Sequence, residues 1–241
     1  MSDGLDLEIR GVTKRYGALT AANQVSFTIR QGEILGLIGP NGSGKTTVLE
    51  CLGGALPADA GGIVRGGRVL SAGERLDALF YLPDGIAPWP RLTVEQSLAF
   101  VVAYFGGRRE LQDAIVAELQ LRPLLRQRVG ELSKGQRKRA LLAAGLLTSQ
   151  TVLIADEPFD GLDLPQTREV AGVLRAHKSR RTMLLSIHQI GDAARVCDRF
   201  VLLSGGQVLG EGTPSELAAM ARARGREPAT PELEEVFLAL V

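Results

Sequence analysis

The chain has 241 residues, and 45% of them are hydrophobic, so it can bury a sizeable core in one domain or in two small ones. Lys plus Arg number 28 and Asp plus Glu number 27, and this balance gives no indication of a nucleic-acid partner. The first residues lack the pattern of a signal peptide, and no apolar run approaches the roughly 18 residues that cross a bilayer. We therefore expect a cytoplasmic protein without membrane spans of its own.

The first part of the chain predicts a layer of strands followed by the start of a sheet. Val25, Phe27 and Ile29 alternate with polar neighbours, which is the period of a half-buried strand. We expect this N-terminal β layer to be antiparallel. Three segments are almost continuously apolar, namely residues 33–39, 151–156 and 182–187. Strands covered on both faces need such runs, and each run leads into a helix-like segment, so we predict an α/β core with a mostly parallel sheet and flanking helices.

The stretch between the first and second apolar strands has helical periodicity. Val94 and Leu98 recur at helical spacing behind Thr93, which forms a capping box with Gln96. Prolines and a Gly-Gly pair divide the stretch into separate helices. We therefore predict a helical insertion, a subdomain over approximately residues 85–147.

A second capping box predicts a C-terminal helical tail. Thr213 and Glu216 occupy the capping positions, and Pro214 stands at the first helical turn. The predicted tail extends over approximately residues 213–241. No internal repeat is visible in the sequence, and residues 1–241 are predicted to form a single domain.

A glycine-rich segment after the first apolar strand has the pattern of a phosphate-binding loop. Its sequence, GPNGSGKT, fits Gly, four residues, Gly, Lys and Ser or Thr, and a helix-like segment follows. In that setting backbone N–H groups curl around phosphate at a helix N-terminus. We expect Lys45 to bridge the outer phosphates and the Thr46 hydroxyl to ligate Mg²⁺. The predicted nucleotide ligands of this segment are Gly39, Pro40, Asn41, Gly42, Ser43, Gly44, Lys45, Thr46 and Thr47.

Two carboxylates close the second apolar strand, at Asp156 and Glu157. Ligands of open α/β sheets bind at the carboxyl ends of the strands, so this pair is expected to face the phosphate loop. We predict that Asp156 holds Mg²⁺, directly or through water. Glu157 is predicted to act as a catalytic residue that accepts a proton from the water attacking the γ-phosphate.

The segment Leu132-Ser133-Lys134-Gly135-Gln136 closely resembles the signature motif of the ATP-binding cassette (ABC) ATPases, with Lys134 where the commonest form has glycine. The order of motifs is similar as well, because the phosphate loop, helical insertion, signature and Asp-Glu strand end are followed by residues 160–163 and by His188. The resemblance covers nearly the whole chain. It implies a P-loop NTPase core and ATP as the nucleotide.

The resemblance also implies roles for further residues. Tyr16 matches the aromatic residue that stacks on adenine, and His188 matches the catalytic histidine that contacts the γ-phosphate. Asp163 matches the aspartate that communicates across a dimer of these ATPases. The signature residues would contact ATP held by the partner subunit, so that two chains close around two nucleotides. The nucleotide ligands implied in this way are Tyr16, Ser133, Gly135, Gln136 and Asp163.

One position departs from the family pattern. Asp84 stands where the family usually has a glutamine that touches Mg²⁺ and water. A carboxylate still binds Mg²⁺ through oxygen, but it cannot donate a hydrogen bond. Asp84 is therefore included with Thr46 and Asp156 among the predicted metal ligands.

The function implied by the resemblance is that of an ATP-hydrolysing subunit at the cytoplasmic face of the cell membrane. Its partners would be integral membrane transporter subunits and a second ATPase chain, either a copy of itself or another ABC ATPase, with no nucleic acid involved. The length and the EEVFLALV ending look most like ATPases of multidrug, lipid or polysaccharide exporters. Two alternatives are a soluble ABC-type ATPase, such as an iron–sulfur assembly factor, and a weakly hydrolysing ATP-dependent regulator.

Overall fold

The structure is a computed structural model that describes residues 6–230 and 232–241. Strands and helices are numbered along the chain. The strands are β1 Leu7–Tyr16, β2 Leu19–Ile29, β3 Ile34–Ile38, β4 Ala60–Arg65, β5 Arg68–Val69, β6 Leu79–Leu82, β7 Val152–Asp156, β8 Thr182–Ile187, β9 Arg199–Ser204 and β10 Gln207–Gly212. The α-helices are α1 Lys45–Gly53, α2 Ala72–Ala78, α3 Val94–Tyr104, α4 Gln112–Glu118, α5 Lys134–Leu147, α6 Leu164–His177, α7 Ile190–Val196, α8 Pro214–Ala223 and α9 Leu233–Leu240.

The larger sheet has the strand order β10-β9-β3-β8-β7-β6 within the described residues. All neighbouring strands in it run parallel except β10, which pairs with β9 in antiparallel fashion. Every residue of β3, β7 and β8 is buried, as strands covered on both faces require. The mostly parallel sheet predicted from the three apolar segments is thus confirmed.

The smaller sheet is antiparallel and has the order β2-β1-β4-β5. Val25, Phe27 and Ile29 on β2 are buried while Ser26 between them is exposed, so the alternation seen in the sequence reflects one buried face. This face packs with α1 against one side of the parallel sheet. The predicted N-terminal antiparallel layer is therefore present.

Helices cover the other side of the parallel sheet. Buried side chains of α3 to α9 form one continuous apolar cluster with Ile34, Ile38 and Leu153 of the sheet. The capping box at the start of α3 forms as predicted, because the Thr93 amide donates to Gln96 Oε1 at 2.9 Å and the Gln96 amide donates to Thr93 Oγ1 at 3.2 Å. The segment before α5 is thus helical, as the periodicity indicated.

The C-terminal segment is also helical. Thr213 caps α8 through the predicted box with Glu216, and α9 packs against α7 and α8. The predicted single domain includes residues 1–5 and 231, which lie outside the described residues. Across residues 6–230 and 232–241, no helix combines the length and apolar character needed to cross a membrane.

Candidate nucleotide-binding site

The phosphate-binding loop connects the end of β3 to the first residue of α1. Gly44, the residue before α1, has φ +100°, a left-handed conformation that glycine adopts without strain. A Cβ atom at Gly39 would lie 2.2 Å from the carbonyl oxygen of Leu203, and one at Gly44 would lie 2.2 Å from that of Ala21. Both positions therefore need glycine for the loop to pass so close to neighbouring backbone.

The side chain of Lys45 lies inside the loop. Its Nζ donates to the carbonyl oxygens of Gly39 at 2.7 Å and of Pro40 at 3.2 Å, and the residue is buried. Burial lowers the pKa of the Lys45 ammonium, although the negative charges of Glu157 and Asp156 act in the opposite direction. The buried Ser43 hydroxyl has no hydrogen-bond partner among the described residues. A buried cation and an orphaned hydroxyl in a glycine loop fit the phosphates of a nucleotide.

The predicted magnesium ligands lie beside this loop. Thr46 Oγ1 donates to Asp156 Oδ2 at 2.9 Å, which brings the start of α1 to the carboxyl end of β7. Asp84 lies close to these two residues, because one cavity of about 240 Å³ is lined by Thr46, Asp84, Asp156 and Glu157. Hydroxyl and carboxylate oxygens are the donors that Mg²⁺ prefers, so the donor set fits this ion.

Ser186 is a further residue of the candidate site, and it was not predicted from the sequence. It lies fully buried on β8, and its hydroxyl donates to Asp156 Oδ1 while accepting the Glu157 N–H at 2.9 Å. One side chain thus orients both acidic residues. Its sign in the sequence is a serine that follows the apolar residues 183–185 and stands two residues before His188.

Glu157 and His188 face each other at the carboxyl ends of neighbouring strands. The distance from His188 Nδ1 to Glu157 Oε2 is 3.6 Å, and both side chains are partly exposed. They line a second cavity, of about 140 Å³, that also contains Ser186 and Asp160. The two predicted catalytic residues are therefore brought together, with Glu157 shared by both cavities.

Asp84 has a partner that the sequence did not suggest. Its Oδ1 accepts a hydrogen bond of 2.7 Å from Nζ of Lys138, a buried residue of α5. Burial alone would raise the pKa of the Asp84 carboxyl, but the hydrogen bond and the charge of Lys138 outweigh burial and lower it. Asp84 is thus held as a carboxylate at the edge of the cavity.

The signature residues begin α5 and lie outside both cavities. Ser133 caps the helix with Gln136, whose Oε1 accepts the Ser133 N–H at 2.9 Å. A Cβ atom at Gly135 would lie 2.8 Å from the carbonyl oxygen of Gly161, so α5 packs tightly on the loop before α6. Within the described part of the chain, the lining of neither cavity includes Ser133, Gly135 or Gln136.

In the described structure, the remaining predicted ligands, Tyr16 and Asp163, line neither of the two cavities. Asp163 caps α6, since its Oδ1 accepts the Gln166 N–H at 2.9 Å. Tyr16 ends β1 with 48% of its surface exposed, and Lys14 Nζ lies 5.9 Å from the centre of its ring. The roles of Tyr16, Asp163 and the signature residues stay predictions.

A parallel sheet that leads through such a loop into a helix, with an acidic strand end facing it, defines a P-loop nucleotide-binding domain. A family profile described as ABC transporter matches residues 22–160. The chain belongs to this family, as an ABC transporter ATP-binding domain.

Named relatives and a solved structure agree with this assignment. The chain is 37% identical over 219 residues to the Nod factor export ATP-binding protein I of Burkholderia orbicola (strain AU 1054), covering 88% of this chain and 72% of the relative. It is 30% identical over 241 residues to the probable multidrug ABC transporter ATP-binding protein YbhF of Escherichia coli (strain K12), covering 98% of this chain and 41% of that one. A solved ATP-binding subunit of an ABC transporter superposes with a TM-score of 0.85 at 27% identity, over 97% of this chain and 98% of the other.

Proposed function

We propose that the chain binds and hydrolyses ATP as the motor subunit of an ABC exporter. The single observation that carries this proposal is the cluster of Thr46, Asp156 and Glu157 around one cavity beside the phosphate loop. Members of this family bind ATP through such domains. Lys45 would contact the phosphates, and Thr46 and Asp156, with Asp84 beside them, would hold Mg²⁺. When bound, Mg²⁺ would neutralise negative charge on the phosphates.

Glu157 supplies the chemistry of hydrolysis in this proposal. Its carboxylate lies between the two cavities and accepts the proton of the attacking water, while His188 at 3.6 Å orients that water. The N–H of Glu157 is fixed by Ser186, so the base is positioned from the neighbouring strand. Positioning of this kind provides most of the catalysis in phosphoryl transfer, where little covalent chemistry is left to the protein.

A complete site needs a second chain. Ser133 is exposed at the start of α5, Gly135 beside it is buried, and both lie outside the cavities. We propose that this helix start contacts the γ-phosphate of ATP bound to the partner chain. The N-terminus of a helix suits this role because its free N–H groups and its dipole favour an anion. Asp163 is proposed to contact the partner at the same interface, and Tyr16 to stack on adenine.

The motion of the two chains is proposed to act on membrane subunits carried by other polypeptides. A groove of about 1030 Å³ separates the helical insertion from the core and is lined by residues that include Tyr81, Tyr104 and Phe105. Trp89, Phe100 and Tyr104 form an exposed aromatic patch at the insertion, and Tyr104 also lines the groove. This surface is the proposed docking site, which would place the protein at the cytoplasmic face of the membrane.

Export is the proposed direction because the names of the relatives include export of Nod factor and multidrug transport. No specific observation favours a soluble assembly factor or a weakly hydrolysing regulator.

Hydrolysis is tested with the purified full chain by measuring phosphate release. The wild type is expected to hydrolyse ATP, and Glu157→Gln is expected to reduce the rate about 100-fold or more while ATP binding persists. Lys45→Ala serves as the control that loses tight binding, because its ammonium is the buried cation of the loop. Hydrolysis by Glu157→Gln at the wild-type rate would show that Glu157 is not the base.

The membrane partner is tested in the native cell with tagged Glu157→Gln, which is expected to accumulate in the ATP-bound state. Membranes are extracted in mild detergent with ATP, and copurifying proteins are identified by mass spectrometry. A stoichiometric multi-span protein, absent with Lys45→Ala, would support the transporter role. Recovery of soluble partners only would overturn it in favour of an assembly factor.

A further inference from the structure

Two lysines of α5 lie one helical turn apart, at Lys134 and Lys138, and so project from the same side of the helix. Lys134 directly follows Ser133 and is exposed, whereas Lys138 is buried with 6% of its surface accessible. A buried ammonium is destabilising unless it is paired. The partners of Lys138 therefore indicate why a lysine is tolerated there.

Lys138 links two segments that line the cavity around Thr46. Its Nζ donates to Asp84 Oδ1 at 2.7 Å, and it also donates to the backbone carbonyl oxygen of Asp156 at 3.4 Å. Asp84 follows β6, and Asp156 ends β7. One buried ammonium thus fastens both strand ends to α5.

Lys134 makes the matching contact with Asp160. Its Nζ is hydrogen-bonded to Asp160 Oδ2, and its aliphatic stem covers Gly161, where a Cβ atom would lie 2.7 Å from Lys134 Cγ. Asp84, Glu157 and Asp160 each have a carboxylate oxygen within 4.8 Å of those of the other two. Three negative charges at this separation repel one another, and the two lysines supply opposite charge from a single helix.

We propose that Lys138 is a positioning residue for hydrolysis and that, with Lys134, it fixes Asp84 and Asp160 around Glu157. The two pairs, Lys138–Asp84 and Lys134–Asp160, form what we term the lysine clamp. Helix α5 begins directly after Ser133. The clamp therefore connects the residues proposed to contact the partner's nucleotide with Glu157, the proposed general base of the chain's own site. This inference rests on the proposed function. It implies that the rate of hydrolysis depends on the position of α5.

The clamp is tested by steady-state hydrolysis with the full chain, normalised to the measured stoichiometry of ATP binding. Lys138→Gln keeps a hydrogen-bond donor but removes the charge, so we expect kcat to fall about tenfold with KM within about twofold. Combining it with Asp84→Asn removes the unpaired negative charge beside Glu157. Measured at saturating Mg²⁺, because Asp84 is also a proposed Mg²⁺ ligand, this double variant is expected to be faster than Lys138→Gln alone. Lys138→Arg, which keeps the charge, should lose less activity than Lys138→Gln.

Lys178→Gln is the matched control, because Lys178 pairs with Asp198 at 2.6 Å and neither residue lines the two cavities, as far as the described residues show. It should hydrolyse ATP at the wild-type rate. A wild-type kcat for Lys138→Gln would overturn the proposal. So would a double variant whose loss of kcat equals the product of the losses caused by Asp84→Asn and Lys138→Gln alone. If Lys138→Gln does not fold, Lys134→Gln tests the exposed pair, because glutamine keeps the Cβ and Cγ atoms that cover Gly161 and removes the charge. A lower kcat at an unchanged unfolding temperature is expected, and an unchanged kcat would contradict the clamp.

A second readout is independent of activity. Urea unfolding of the wild type, both single variants and the double variant measures the coupling between Asp84 and Lys138. A measurable coupling is expected even if the wild type fails to hydrolyse ATP, a result that would overturn the proposed function but leave the contact in place. Zero coupling would overturn the clamp itself.

Discussion

Glu157 has a backbone conformation that is unfavourable for its side chain. Its φ is +47°, in the left-handed region that non-glycine residues rarely occupy. Such strain costs about 1–3 kcal/mol and persists only when surrounding contacts impose it. The hydroxyl of Ser186, which accepts the Glu157 N–H and donates to Asp156, is one such contact. The geometry of the proposed base therefore depends on a residue of the adjacent strand.

Ser186→Ala is expected to slow hydrolysis about tenfold while leaving ATP affinity nearly unchanged. The Glu157 N–H and one Asp156 oxygen would lose their partner, so the free energy of unfolding should also fall by about 1–3 kcal/mol. Both quantities are measured on the purified chain, by phosphate release and by urea unfolding. The control is Ser97→Ala, since the buried Ser97 hydroxyl has no partner among the described residues and its loss should change little. An unchanged rate for Ser186→Ala would show that Glu157 is positioned without this serine.

At the scale of single residues, the sequence could identify candidate site residues that belong to local patterns but not those defined by distant contacts. Thr46 belongs to the glycine-loop pattern and Asp156 ends an apolar strand, and the structure brings Thr46 Oγ1 within 2.9 Å of Asp156 Oδ2. Lys138 meets Asp84 across 54 residues of chain, and Ser186 meets Asp156 across 30. Neither pairing has a periodicity or a local spacing that could reveal it, because both depend on how the strands order themselves in the sheet.

At the scale of elements, local sequence signals were sufficient to predict a helix from the residues that cap it and a strand from its buried face. Thr93 and Thr213 form their predicted capping boxes within four residues of chain, and the buried strands follow from continuous apolar runs. Strands β4 and β5 and helix α2 are among the elements that were not predicted. β5 has only two residues, both exposed, and Ala78 is the single fully buried residue of α2, so none of these elements has a strong hydrophobic period.

The start of α5 is expected to govern assembly of the dimer rather than binding of ATP. Ser133→Arg places a bulky side chain at the proposed contact with the partner's γ-phosphate, so the monomer should bind ATP normally while ATP-driven dimerisation is lost. Dimerisation is measured by light scattering in the Glu157→Gln background, with ATP and without it.

The substitution also removes a helix cap, an effect worth about 1 kcal/mol that needs its own control. Ser71→Arg provides it, because Ser71 caps α2 through the same kind of box with Glu74 and lines neither cavity in the described structure. It should still dimerise with ATP. Normal dimerisation of Ser133→Arg would contradict the shared site.

At the scale of the whole molecule, Trp89, Phe100 and Tyr104 form an aromatic patch on the surface. The amino-acid composition could not show that these three side chains lie together. The rings of Trp89 and Phe100 have centres 4.6 Å apart, and those of Phe100 and Tyr104 are stacked at 5.6 Å. Tyr104 is nevertheless 71% exposed. Trp89 is packed on Phe100 and is still 39% exposed. Large aromatic side chains grouped in this way are typical anchors of protein interfaces.

Tyr104→Glu is therefore expected to weaken the association with the proposed membrane subunit at least tenfold, since it places a charge on the proposed docking surface, which would be desolvated on docking. ATP binding and ATP-driven dimerisation should be unaffected, because Tyr104 lines the groove and neither of the two nucleotide cavities. The association is measured as the amount of membrane protein that copurifies with the tagged chain. Leu238→Glu is the matched control, as Leu238 on α9 is 61% exposed and lies outside the patch. If both variants retained the membrane protein equally well, docking would have to occur on a different surface; loss with Tyr104→Glu alone would assign it to the helical insertion.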